Sequence, residues 1–131
     1  MLERFRKQKT QTTPHIAPEA IFAQILIHPN TSDKLSYEEI SKLVAKIDNG
    51  GIARGALWYL TGSDSVYCED LSRWIGKMTS FGYATDEEKV VLRPEGREVC
   101  MEIVARAKRE TPDVVDKMHK FLDTVSIKRA L

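Results

Sequence analysis

The chain has 131 residues, 42% hydrophobic and 30% charged, with a net charge of +1. That balance suits a globular protein with one sizeable core, and a near-neutral total excludes a uniformly basic nucleic-acid binder. No apolar run approaches the roughly 18–20 residues that span a bilayer, and the opening MLERFRKQKTQTTPH lacks the apolar centre of a secretory signal. Cys68 and Cys100 stand without CxxC spacing, as expected of a reduced, cytoplasmic protein.

The charge is uneven. Residues 1–13 carry Arg4, Arg6, Lys7 and Lys9 against Glu3, which leaves the remainder slightly acidic. The reading for 1–14 is a flexible basic arm, ended by Pro14, able to follow a phosphate backbone. Residues 15–131 are read as one domain. Its first helix is expected over 17–28, with Pro18 at an early position and Ile21, Phe22, Ile25 and Leu26 on one stripe. A second helix is expected over 36–47. Ser36 and Glu39 have capping-box spacing there, and Leu35 and Ile40 have the spacing of a hydrophobic staple. Asp48-Asn49-Gly50-Gly51 ends it. A short helix is expected over 52–60, then a loop over 61–65.

Residues 70–81 follow as a helix with Leu71, Trp74, Ile75 and Met78 inward and Gly82 as its cap. Short strands at 83–85 and 89–92 flank the polar turn Asp86-Glu87-Glu88. Two helices close the chain. One, over 94–110, opens at Pro94 and buries Val99, Cys100, Ile103, Val104 and Ala107. The other, over 112–126, is started by Thr111-Pro112-Asp113.

The segments LSRWIGKM (71–78), FGY (81–83) and LRPEGR (92–97), in that order, resemble the winged helix-turn-helix superfamily, in particular regulators of the MarR and PadR types. The likeness covers about 30 residues in detail and the rest by helix order. It implies a mainly α fold with a β-hairpin wing and extra N- and C-terminal helices. It further implies a cytoplasmic, dimeric transcriptional regulator that binds double-stranded DNA. Two helices compete for the reading role. Helix 70–81 leads directly into the hairpin. Helix 52–60 carries Arg54 and forms a helix-turn-helix with 36–47. The first is favoured because recognition helices of this kind run straight into the wing. The wing tip Asp86-Glu87-Glu88 departs from the pattern, since its carboxylates oppose insertion beside phosphates.

With the apolar positions inward, Ser72, Arg73, Gly76, Lys77, Thr79 and Ser80 face out. The DNA-contacting set is then Ser72, Arg73, Lys77, Thr79 and Ser80, with Lys89 of the wing and Arg54 added. Arg73 and Lys77 suit guanine edges or phosphates, and the hydroxyls suit either. The competing reading of such a face is a solvated helix surface. Lys42 and Lys46 share one helix face that suits backbone phosphates, against the commoner reading of lysines that only solubilise. Val115, Met118, Leu122 and Val125 repeat at three- and four-residue steps and suggest a dimer seam, against which stands packing on the first helix. No HExxH, GxSxG or phosphate-binding glycine loop occurs, so no enzyme is expected. His15, His28 and His119 are far apart in sequence and, with two lone cysteines, suggest neither a metal site nor a cofactor. The alternative to DNA binding is a winged-helix-like module, adaptor or inhibitor, that binds protein. The acidic wing tip and the near-neutral charge favour it.

Overall fold

The computed structural model describes residues 16–49, 51–52, 59–61 and 66–125. In chain order the elements are α1 (Pro18–Ile27), α2 (Tyr37–Asn49), β1 (Tyr59–Thr61), β2 (Val66–Cys68), α3 (Glu69–Ser80), β3 (Ala84–Asp86), β4 (Val90–Leu92), α4 (Pro94–Glu110) and α5 (Pro112–Thr124). Among the described residues the protein is mainly helical, with two separate two-stranded antiparallel sheets. No helix among the described residues is long and apolar enough to cross a membrane.

α1 is the hub. Ala20, Ile21, Phe22, Ala23, Gln24, Ile25 and Leu26 are all buried, so the helix is covered all round rather than along one stripe. α2, α3, α4 and α5 all pack against it. The one polar side chain in that run, Gln24, donates from Nε2 to the carbonyl of Val115 on α5 (2.9 Å), which satisfies its buried donor.

α2 begins as its sequence suggests. The Ser36 amide donates to Glu39 Oε1 (2.8 Å) and the Glu39 amide to Ser36 Oγ (3.2 Å). Leu35 and Ile40, the staple pair, are both buried. Beyond α2 the structure departs from expectation. Gly51 lies in a turn and Ile52 in a bend, while Tyr59 and Leu60 belong to β1, paired with Tyr67 and Cys68 of β2. The helix expected over 52–60 is therefore corrected at both ends. Its middle, with Arg54 and Trp58, lies outside the described residues, as do the turn residues 62–65 and the arm 1–14. The physical reason is composition. Tyr-Leu-Thr and Val-Tyr-Cys are aromatic and β-branched triplets on either side of Gly-Ser-Asp-Ser, which is the pattern of a hairpin.

α3 ends in a Schellman motif. The Gly82 amide donates to the Thr79 carbonyl (3.1 Å) and the Tyr83 amide to that of Met78 (2.8 Å), with Gly82 at φ +77°. The chain turns there into the β3–β4 hairpin, whose register pairs Ala84 with Leu92 and Asp86 with Val90. The outer edge of β4 is also occupied. The Val90 amide donates to the Leu35 carbonyl (2.8 Å) and the Leu92 amide to Asp33 Oδ1 (3.2 Å). Asp33 takes a left-handed backbone (φ 61°), which aspartate tolerates better than most residues. Arg97 of α4 completes this anchor, donating to Ser32 Oγ (2.9 Å) and approaching Asp33 Oδ2 (3.5 Å).

α4 then crosses the base of the hairpin. Gly96 permits the approach, because a β-carbon there would stand 1.9 Å from the Tyr83 carbonyl oxygen. Gly96→Ala is expected to lower the unfolding free energy by about 1–3 kcal/mol through this clash. Urea denaturation of the variant measures it, and an unchanged midpoint would show that α4 does not need the close approach.

Candidate nucleic-acid interface

α3 is amphipathic in a way that defines an outward face. Leu71, Ile75 and Met78 are buried, and Trp74 packs at an angle on Phe22 of α1, their ring centroids 5.8 Å apart. Glu69 and Asp70 in the first turn and Lys77 in the last complement the helix dipole. Arg73, Gly76, Lys77 and Ser80 are exposed, whereas Ser72 and Thr79 are only half exposed. Thr79 Oγ1 donates back to the Gly76 carbonyl (3.0 Å), so this hydroxyl serves its own helix. The outward set is thus narrower than the six residues expected from periodicity.

The electrostatics of this face are nearly balanced. Arg73 Nη2 donates to Glu69 Oε1 one turn earlier at 2.8 Å. Both side chains are well exposed, so the pair holds geometry more than it adds stability. Arg73 and Lys77 also border a shallow groove of about 200 Å³, with Pro18, Glu19, Phe22, Asp70 and Trp74 as its other walls. Two acidic side chains therefore stand beside the two basic ones.

The hairpin carries the opposite bias. Thr85, Asp86, Glu87, Glu88 and Lys89 are all exposed at its tip. Lys89 reaches back toward Glu39 of α2 (3.6 Å), so its charge is shared with a carboxylate. Lys42 likewise stands 4.0 Å from Glu38. The residue that periodicity did not single out is Phe81. It follows α3 directly, is 70% exposed, and has its ring 5.9 Å from that of Tyr83. An aromatic side chain just before a Gly82 cap was the available signal.

The α5 residues proposed for a dimer seam face this chain's own core. Val115, Met118 and Leu122 are buried, and Val125 is half buried at the helix end. The histidines correct the sequence reading in another way. His28 and His119 come together, rings 5.1 Å apart, with Asp123 between them. His15 lies outside the described residues. Both cysteines are buried and unpaired. Burial pushes the Cys100 thiol up to about 12 and also raises that of Cys68, so neither is a ready thiolate.

Comparison of the chain with protein-family models, curated proteins and solved structures finds no match.

Glu39 links the α2 cap to the hairpin and gives the stability of the fold a pH dependence. The hydrogen bond from the Ser36 amide holds its carboxyl below the usual value. Lys89 acts in the same sense, and partial burial opposes both. A depressed carboxyl contributes stability above its unfolded pKa, near 4.3, and loses it as pH falls through the folded value. Glu39→Gln is expected to lower stability at neutral pH by up to about 1 kcal/mol, a gap that closes as acidification protonates Glu39 in the folded protein. Denaturation midpoints from neutral to acid pH test it, and a constant gap at all pH values would contradict it.

Proposed function

We propose that this protein is a winged-helix DNA-binding protein that lays the outer face of α3 in the major groove. The observation that supports the reading best is the continuity of α3 with the hairpin. An amphipathic helix with Arg73, Gly76, Lys77 and Ser80 outward ends in a tight Gly82 turn and passes at once into β3 and β4. The hairpin is held in place by the chain before α2 and by Arg97. Such a helix offers side chains to base edges while its surroundings contact phosphates.

In this reading Arg73 contacts a guanine edge or a phosphate, exchanging its Glu69 partner for DNA. Lys77 contacts phosphate, and Ser80 bonds phosphate or base. Gly76 lets the helix approach closely, since nothing stands near the position of an added β-carbon there. The basic residues of the N-terminal arm add affinity without sequence preference. The acidic tip of the hairpin stays out of the minor groove. Pairing of two copies would match a two-fold symmetric site, and it would use surfaces other than the buried α5 stripe.

A second reading, a protein-binding module of the same shape, draws on Phe81. A 70% exposed phenylalanine at the end of α3, in a molecule whose hairpin tip is acidic, suits an apolar, basic partner surface better than a phosphate backbone.

A duplex-binding titration against salt separates the two. DNA binding predicts saturable affinity at low salt that falls steeply as salt rises. The double change Arg73→Ala and Lys77→Ala should flatten the salt slope by roughly 1–2, while Phe81→Ala leaves it nearly unchanged. Absence of duplex binding at about 50 mM salt would overturn the DNA reading and favour the second.

A further inference from the structure

We infer that His28, His119 and Asp123 form a binding site for a late first-row divalent cation of the Zn2+ type, joining the end of α1 to α5. One ligand atom from each lies within 4.8 Å of the other two. His28 Nε2 is 2.9 Å from Asp123 Oδ1, and His119 Nε2 is 3.5 Å from Asp123 Oδ2. His119 and Asp123 are one turn apart on α5 and largely exposed, at 57% and 54%, so both side chains are free to close the remaining distance. His28, 4% exposed, is fixed at the C-terminal end of α1 and supplies the rigid member of the set. Two imidazoles and one carboxylate suit Zn2+ and its neighbours, whereas Mg2+ and Ca2+ call for shells of oxygen.

The surroundings support an open coordination position. His28 and His119 also border a cavity of about 290 Å³ between α1, α4 and α5, shared with Gln24, Lys108 and Asp116. A water or a small anion in that cavity completes the shell of a cation held by three protein ligands. The site is independent of α3 and does not depend on the DNA reading.

Proton placement determines how loading proceeds. The Asn30 amide donates to His28 Nδ1 (3.1 Å), which places the ring proton of the metal-free protein on Nε2, pointing at Asp123. A cation on Nε2 takes the place of that proton. The proton is taken up at Nδ1, so the imidazole stays neutral, and the Asn30 amide gives up its acceptor. The exchanged hydrogen bond makes the site weaker than a preformed one, and it provides a spectroscopic signature. Asn30 also donates from Nδ2 to the carbonyls of Leu122 (2.9 Å) and Asp123 (3.2 Å), which keeps the two helices in register during the exchange.

The test is a Zn2+ titration of the whole chain at pH 7.5, in chelator-free buffer, by calorimetry and by long-range proton–nitrogen correlation of the histidine rings. One equivalent should bind, the melting temperature should rise with Zn2+, and the His28 proton should shift from Nε2 to Nδ1. His119→Ala and Asp123→Asn, both at exposed positions, each remove a ligand and should weaken binding by at least the roughly tenfold that loss of an outer-shell partner costs, and remove the thermal gain. Lack of saturable binding at micromolar Zn2+ would overturn the inference. So would binding that neither substitution weakens, or a His28 ring proton that stays on Nε2 when Zn2+ is bound.

Discussion

The burial of α1 is the constraint on which the rest of the molecule depends. Seven consecutive residues, Ala20 to Leu26, are withdrawn from solvent. That is possible only if other elements close on every side, and α2, α3, α4 and α5 do so. Each large side chain buried there contributes on the order of 1.5–3 kcal/mol. Ile21, Phe22, Ile25 and Leu26 are all at or near zero exposure, so α1 carries a large share of the driving force for assembly. The arrangement of the other helices follows from the cover they provide. α3 gives its Leu71–Ile75–Met78 stripe to this core and keeps its charged side outward. α5 gives Met118 and Leu122 and keeps Asp116, His119 and Asp123 outward.

The parts of this arrangement that were legible in the sequence are the local ones. The Ser36–Glu39 box, the Gly82 cap, Pro94 at the start of α4 and Pro112 at the start of α5 depend on backbone geometry within a few residues. They lie where composition places them. Apolar spacing likewise located the inward stripes of α3 and α5. What spacing does not encode is the surface that covers a stripe. Val115, Met118 and Leu122 have the repeat of a seam between copies, yet they pack inside their own chain because α1 offers a complete apolar surface. Leu60 fits a helical pattern with Ile52, Ala53, Ala56 and Leu57, but strand pairing of Tyr59 and Leu60 with Cys68 and Tyr67 prevails there. Contacts across 91 or 95 residues, such as Gln24 with Val115 and His28 with Asp123, lie beyond any local pattern.

The candidate interface shows the same division. Periodicity identified the outward side of α3, and Arg73, Lys77 and Ser80 are exposed there. It did not foresee that Glu69 holds Arg73, that Glu19 and Asp70 border the same groove, or that Lys89 turns toward Glu39. Those pairings leave a face that is structured but close to neutral. In a DNA complex such exposed pairs separate at small cost, since each is worth at most about 1 kcal/mol in water. If the proposed DNA binding holds, it draws on few phosphate contacts, and residues 1–13, with four of the chain's 20 basic residues, take a correspondingly larger part in it.

The most direct measurement is a map of backbone amide shifts as duplex DNA is added to the labelled protein at low salt. DNA contact through α3 predicts that the largest changes fall on Arg73, Gly76, Lys77, Ser80 and the Phe81–Gly82 turn, with α5 and the buried face of α1 unmoved. Changes concentrated on α4 or α5, or none along α3, would contradict it.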